Sequence, residues 1–396
     1  PDYQEVDATH GKIGDVDVVW NITPNDDNAY QNNLDATLLN QADAPADDKI
    51  DLFLVEADYA LKYVDTDYTV PVKDLGITDD DLSKQYQYTK DIVTDSKGVL
   101  KGLSWQGCPG VLFYNRDAAK EVLGTDDPDK VQESVKDWDA YNDTAKKMKD
   151  AGYKMTASAN DTYRVYSNNV TSKWVDGNKI NIDDNIMKWV DDSKAQVDAG
   201  ETGTCDLWSD DWSKGFYPQG KVFCYFGPAW LVNFSMAADT EGSIGYNGGW
   251  GAAQGPQGFF WGGTWICAAQ GTDNANLVKD IMLKMTTDDD IMKDIVVDDD
   301  DFVNNSTVMN GLADGSIKVK DDKEYTSKIL GGQNPLPMYC AGVETLDLSN
   351  LSSYDQGCNE EFQNAMKNYF EGKASKEDAL DLFYKAVTEK YPELTY

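Results

Sequence analysis

The sequence predicts an α/β protein of two domains between which the chain passes more than once. Three observations carry that reading. The chain has 396 residues, more than one hydrophobic core usually supports. Short apolar runs of strand length alternate with amphipathic stretches of helical period. No Pro/Gly/Ser-rich linker separates an amino half from a carboxyl half, so the domains are joined by several crossings and not strung in series.

The elements follow in order. DVDVVWN (15–21) alternates and then turns apolar, which predicts a strand ending at Trp20–Asn21. In the next segment Tyr30, Leu34 and Leu38 recur at helical spacing. KIDLFLVEAD (49–58) has a nearly continuous apolar centre, typical of a strand covered on both faces. Strand, helix, strand reads as a βαβ unit. GVLKGLSWQG (98–107) reads as a hairpin, and GVLFYNRDAAKEVLG (110–124) as strand into helix. Residues 132–155 form an amphipathic helix with Trp138, Tyr141, Ala145 and Met148 on its apolar stripe. An Asp–Gly pair at 176–177 predicts a hairpin within 174–183, and a helix follows that stops at Gly200. GKVFCYFGPAWLVNF (220–234) predicts a buried strand, a Gly–Pro break and a helix start at Trp230. Residues 273–296 read as two short helices, and the carboxyl-terminal stretch as a helical pair punctuated by Gly372.

Composition narrows the function. The chain is 41% hydrophobic and 11% aromatic, so it can build real cores despite a formal net charge of −35. That charge argues against nucleic acid, an anionic membrane surface and an anionic ligand. A neutral or a cationic ligand remains. No apolar run approaches the roughly 20 residues of a bilayer span. A phosphate-cradling GxxxxGK loop, a GxGxxG turn, a GxSxG elbow and HExxH are all missing, so no cofactor is expected. With His10 as the single histidine, a Ser–His or Cys–His pair is all but excluded. A carboxylate pair, as in glycoside hydrolysis, is the one catalytic class left open. Cys108, Cys205, Cys224, Cys267, Cys340 and Cys358 form no CxxC pair and read as structural thiols, with one disulfide left open. No metal site is expected: one histidine and dispersed cysteines do not make a zinc site. The acidic runs 288–290 and 298–301 lack the turn glycine and bidentate glutamate of a calcium loop.

Several stretches, in order along nearly the whole chain, resemble the extracellular solute-binding proteins of ABC importers, in carbohydrate-binding family 1, which includes maltose-binding protein. They are KIDLFLVEADYALKYV, GVLKGLSWQGCPGVLFYNRDAAKEVLG, DWDAYNDTAKKMKDAGYKM, GKVFCYFGPAW, GGTWICAAQGTDNANLVKDIM and GKASKEDALDLFYKAV. CPG at 108–110 and the long segment 330–357 depart from the family pattern. The resemblance implies the two-lobe, class II periplasmic-binding fold with its ligand in the interlobe cleft. Lobe one would comprise 1–115 plus 264–310, and lobe two 116–263 plus 311–396. It implies capture of a neutral oligosaccharide by hinge closure and delivery to a membrane permease, without catalysis. A monomer is expected, outside the cytoplasm and tethered by an amino-terminal lipid anchor, or periplasmic. A same-fold binder of a polyamine, amino acid or peptide is the alternative, and a glycoside hydrolase a further one.

A sugar has an apolar C–H face that packs on flat rings and a hydroxyl rim that needs directed hydrogen bonds. Indoles beside Asp, Asn, Gln or Arg fit both demands. The candidate ligand residues are therefore Trp20 and Asn21, Asp58, Trp105 and Gln106, Tyr163 and Arg164, Trp230, Trp261, and Asp355 with Gln356. Trp230 heads this set because the resemblance sets it beside the family's stacking tryptophan after a glycine break, here Gly227–Pro228. Core packing is the alternative for Trp20 and helix capping for Asp58. Trp138, Trp174, Trp189 and Trp265 read as core, whereas Trp208, Trp212 and Trp250 are undecided. In GFFWGGTWICAAQG (258–271), Gly262–Gly263 would break the pleat that otherwise sends Trp261 and Trp265 to one face.

Overall fold

The computed structural model describes residues 3–24 and 28–396. The chain divides into two compact units. The first holds Pro1–Trp105 and Thr264–Met292, the second Gln106–Gly263 and Lys293–Tyr396. The sequence boundary near 115 falls ten residues late. The strand Pro109–Asn115 is fully buried and is flanked by Cys224–Pro228, Trp250–Ala253 and Phe259–Phe260, all antiparallel to it and all in the second unit. Residues 293–310 also belong to the second unit, where 310 was expected to mark the return. Within it the helix Ser306–Asp314 packs with Leu336–Val343.

In the first unit, the strands Tyr3–Asp7, His10–Ile13 and Val16–Val19 form an antiparallel meander of their own. Val16–Val19 does not join Leu52–Glu56, so the expected βαβ unit is not formed. Two-residue turns connect these strands, and closing such short loops costs far less entropy than a crossover. Leu52–Glu56 is hydrogen-bonded to Thr264–Ala268, which also pairs with Leu103–Ser104. The stretch 98–107 thus contributes a short strand to a distant partner, and its hairpin-like turn pairs 98–101 back onto 93–95, where Thr94 bridges Leu100 and the Lys101 amide donates to the Val93 carbonyl. Phe53 and Val55 are buried, but Leu54 between them is 39% exposed. The strand therefore alternates, and is covered on one face only. Val72, Ile77, Leu82, Leu103, Ile266, Val278 and Met282 build the core beneath.

In the second unit, Asn115 ends the central strand and caps the helix Arg116–Leu123, its side chain accepting from the Asp117 and Ala118 amides. Arg116 donates to the carbonyls of Trp250, Asp126 and Leu330. The Tyr–Asn–Arg–Asp run is thereby explained by fold construction. The amphipathic helix begins later than its sequence pattern, at Trp138, because Asp137 caps it through the Ala140 amide; it runs to Asp150. The hairpin 175–180 and the helices Asp184–Asp198, Ala275–Thr287, Asp289–Asp299, Asp355–Phe370 and Lys376–Lys390 form where the pattern placed them. The helix expected to start at Trp230 does begin there, and it continues as a wide π-helical turn, Leu231–Ser235. Leu336–Val343 puts a helix inside the long segment 330–357 that departs from the family pattern. None of the six cysteines is joined in a disulfide. Among the described residues, no helix is long and apolar enough to cross a membrane, and no three His, Cys, Asp or Glu side chains gather as metal ligands.

Candidate ligand site

The second unit gathers four tryptophans from three separate segments. Trp230 follows the buried strand Cys224–Pro228. Trp261 follows Phe259–Phe260, whose pairing with Pro109–Gly110 holds this end of the chain in the sheet. The Phe259 ring lies over Gly110, where an added β-carbon would sit 2.2 Å from it. Asn168 accepts from the Phe260 amide at 2.7 Å, and the Trp261 amide donates to the Cys108 carbonyl at 3.2 Å. Trp208 and Trp212 bracket Ser209, which caps the short helix Asp210–Ser213.

The rings touch. Trp230 and Trp261 meet edge to face at 5.3 Å between centroids. Trp208 lies nearly parallel to Trp230, 6.2 Å away with 21° between planes. It is tilted against Trp261 at 5.6 Å and T-shaped against Trp212 at 5.1 Å. The Arg164 guanidinium sits 5.9 Å from the Trp261 ring centre, within cation–π range. The Trp230 indole N–H donates to the Trp261 carbonyl at 3.3 Å. A β-carbon at Gly262 would stand 3.3 Å from the Trp230 ring, and both Gly262 and Gly263 have positive φ, 74° and 102°. The group that approaches this glycine backbone is thus the indole of Trp230. The pleat breaks there as well. Trp261 is half-buried on the cluster, whereas Trp265 is 2% exposed in the first unit's core and donates to the Thr89 carbonyl.

Exposure falls from the rim of the cluster to its base. Trp208 is 53% exposed, Trp230 and Trp261 are half-buried, and Trp212 is buried. Trp212 is fastened below by its N–H to Asp161 at 2.8 Å. Asp161 also accepts from the Ser158 amide at 2.8 Å. Burial pushes its carboxyl up to about 7, against these hydrogen bonds. The result is an open apolar surface of flat rings with a cation at its side and a rigid polar footing.

The other candidates take separate places. Gln106 donates to Asp301 at 2.8 Å, and burial raises that carboxyl to about 6. Tyr163 is corrected to a core residue: it is 1% exposed, donates to Asn359 at 2.6 Å and packs edge-on to Trp189. Asp355 accepts from the Ser352 amide and hydroxyl, and Gln356 donates to Glu360 one turn along the same helix. Both act locally at a helix start. In the first unit, Trp20 is 50% exposed and donates to the Tyr3 hydroxyl, with exposed Asn21 beside it, on the meander. Neither ends a strand of the core sheet. Asp58 follows Leu52–Glu56, its amide held by the Glu56 carboxylate. Trp105 packs half-buried on the first unit's core. Trp174 and Trp189 are core, as expected, and so is Trp250. Trp138 is partly buried and stacks on Tyr166 at 4.2 Å. Trp208 and Trp212 are the members of the cluster that the sequence left undecided. Their spacing of four, across a capping serine, was the available signal.

A family model described as bacterial extracellular solute-binding protein matches residues 8–326. No curated relative matches the sequence. The fold is similar to a crystal structure of an extracellular solute-binding protein of family 1, at TM-score 0.77 and 18% identity, over 91% of this chain and 89% of that one. It is similar to the ABC transporter associated binding protein from B. animalis subsp. lactis Bl-04 in complex with beta-1,6-galactobiose (TM-score 0.68, 19% identity, 96% and 93% covered). It is similar too to the galacto-N-biose-/lacto-N-biose I-binding protein from Bifidobacterium longum in complex with lacto-N-biose (TM-score 0.68, 14% identity, 93% and 87% covered). These likenesses establish the two-lobe solute-binding fold.

Proposed function

The chain belongs to the bacterial extracellular solute-binding proteins, and from that premise we propose that it captures a neutral oligosaccharide and hands it unchanged to the permease of an ABC importer. The observation that carries this reading is the edge-to-face pair Trp230 and Trp261, with Trp208 packed against both and Arg164 beside Trp261. Indole faces offer dispersion and desolvation to the C–H faces of pyranose rings, and a guanidinium offers fixed donors to hydroxyls. Two of the proteins with this fold carry disaccharides in their complexes, which supports the same ligand class. The protein acts outside the cytoplasm as a monomer, membrane-tethered by a lipid anchor or periplasmic, and closes on its ligand.

Calorimetry over a panel of neutral di- to tetrasaccharides, with spermidine and short peptides alongside, tests this. At least one oligosaccharide is expected to bind in the micromolar range or tighter, and to be recovered intact. Trp230→Ala should weaken that binding by about thirtyfold, the ~2 kcal/mol of a central aromatic contact. Binding of spermidine alone, shortened sugars in the recovered ligand, or unchanged affinity in the variant would each overturn a part of the reading.

A further inference from the structure

Trp208 combines properties that do not fit a simple wall residue. Its φ is +68°, in the left-handed region that costs a residue with a bulky side chain and that glycine or asparagine accepts readily. Its indole is 53% exposed, so burial does not repay that cost in full. It lies between the isolated bridge residue Thr204 and the helix Asp210–Ser213, outside any strand or helix. What holds the ring is other rings: Trp212 edge-on at 5.1 Å, Trp261 tilted at 5.6 Å and Trp230 nearly parallel at 6.2 Å.

The near-parallel pair is the informative one. Two indoles that sandwich a sugar ring must leave a gap for it, two van der Waals contacts deep. At 6.2 Å between centroids and 21° between planes, Trp208 and Trp230 leave no such gap. Trp208 is offset-stacked on the Trp230 face itself. That is the surface on which the proposed sugar would stack.

We propose that Trp208 is an affinity-setting residue that competes with the ligand for the face of Trp230, a removable cover carried on a strained loop residue. This rests on the oligosaccharide reading above. A pyranose reaching Trp230 displaces the Trp208 ring, and the left-handed backbone at residue 208 favours its leaving. Ligands with one weakly stacking unit do not repay the displaced ring contacts. Ligands of two or more units, which engage Trp230 and Trp261 together, do. The apparent dissociation constant is the intrinsic one divided by the uncovered fraction, so removing the ring should raise affinity for every ligand that uses Trp230.

The test uses the whole chain with Trp208→Gly and Trp208→Asn, both of which accept the left-handed backbone, measured against the same neutral oligosaccharide panel. Melting temperature and far-ultraviolet dichroism confirm that each variant folds. Both variants are expected to bind at least about threefold more tightly than the parent, with the gain in the association rate. In stopped-flow tryptophan fluorescence the parent's observed rate should level off with ligand concentration, at the rate of uncovering, and the variants' should rise linearly. A sugar that binds only the variants also supports the cover. Equal or weaker binding by both variants, with the parent binding normally, overturns the cover and leaves the oligosaccharide reading standing. Failure of parent and variants alike to bind any neutral sugar overturns that reading and the cover with it.

Discussion

Trp208, Trp230 and Trp261 come from three segments, and each is held by a different local device. Trp230 is placed by the end of a buried strand and the wide turn after it, Trp261 by backbone bonds to Asn168 and Cys108, and Trp208 by ring contacts. Beneath them, Asp161 holds Trp212 from a site where burial raises its carboxyl from 3.8 to about 7. The folded protein therefore holds this proton more tightly than the unfolded chain does. Between pH 4 and 7 the group's contribution to stability falls as pH rises, and above about pH 7 the full penalty of a buried charge is present. Asp161→Asn keeps an acceptor for the Trp212 N–H and removes the titration. Denaturant unfolding at pH 5 and pH 8 should show a parent-minus-variant stability difference that shrinks or reverses toward pH 8. A difference independent of pH would place the proton elsewhere. Of the residues that the cluster brings together, Trp230 and Trp261 were legible as candidates because each sits beside a strand end or a glycine break that sequence displays, whereas Arg164 comes from the helix Tyr163–Ser167, which no such signal marks. The burial of Tyr163 was not legible, because a tyrosine whose hydroxyl is bonded to Asn359, almost 200 positions away in sequence, reads locally like an exposed one.

At the scale of elements, the two glycines after Trp261 end one unit's strand and begin the other's. Phe259–Phe260 pairs within the second unit, and Thr264–Ala268 is the central strand of a three-stranded sheet in the first. Positive φ at both glycines lets the chain turn between them, and the Trp230 ring fills the space that a side chain at 262 would need. Gly262→Val should destabilise the protein by about 1–2 kcal/mol through the left-handed backbone alone. It should also push Trp230 off the cluster, so sugar affinity falls together with stability. Chemical denaturation and calorimetry on the same variant check both, and a variant of parental stability would remove the close-approach argument. Helices were the readable elements. Asp137, Asp183 and Ser375 cap theirs through backbone amides within three residues, so capping, period and stop signal all lie close together in sequence. Strand partners were not readable. The alternation in 15–21 specifies a strand and says nothing of whether its neighbour is the turn-linked 10–13 or the distant 52–56, because both offer the same backbone groups.

For the whole molecule, the two units have separate cores and the chain changes unit at 105/106, 263/264 and 292/293. Sequence displayed the need for more than one crossing through the missing linker, and composition displayed the surface, a formal −35 over 396 residues. The cysteines test the fold as a whole. None of the six forms a disulfide, and burial pushes Cys205 up to about 11 and Cys358 to about 12. Thiolate, the reactive form, is therefore scarce near neutral pH. The unreduced native protein should react slowly with a thiol reagent, and the unfolded protein should release six equivalents. Four equivalents would reveal a disulfide and a different packing around it.

The sequence by itself determined the α/β class, most of the helices and the family resemblance. These follow from period, capping and residue type, which act over a few positions. Only the tertiary structure decided which strands pair, where one unit yields to the other, and that Trp208 lies on Trp230. Pairing and stacking join residues far apart in the chain, and the energy that selects one partner over another of equal chemistry comes from how side chains pack within each folded unit.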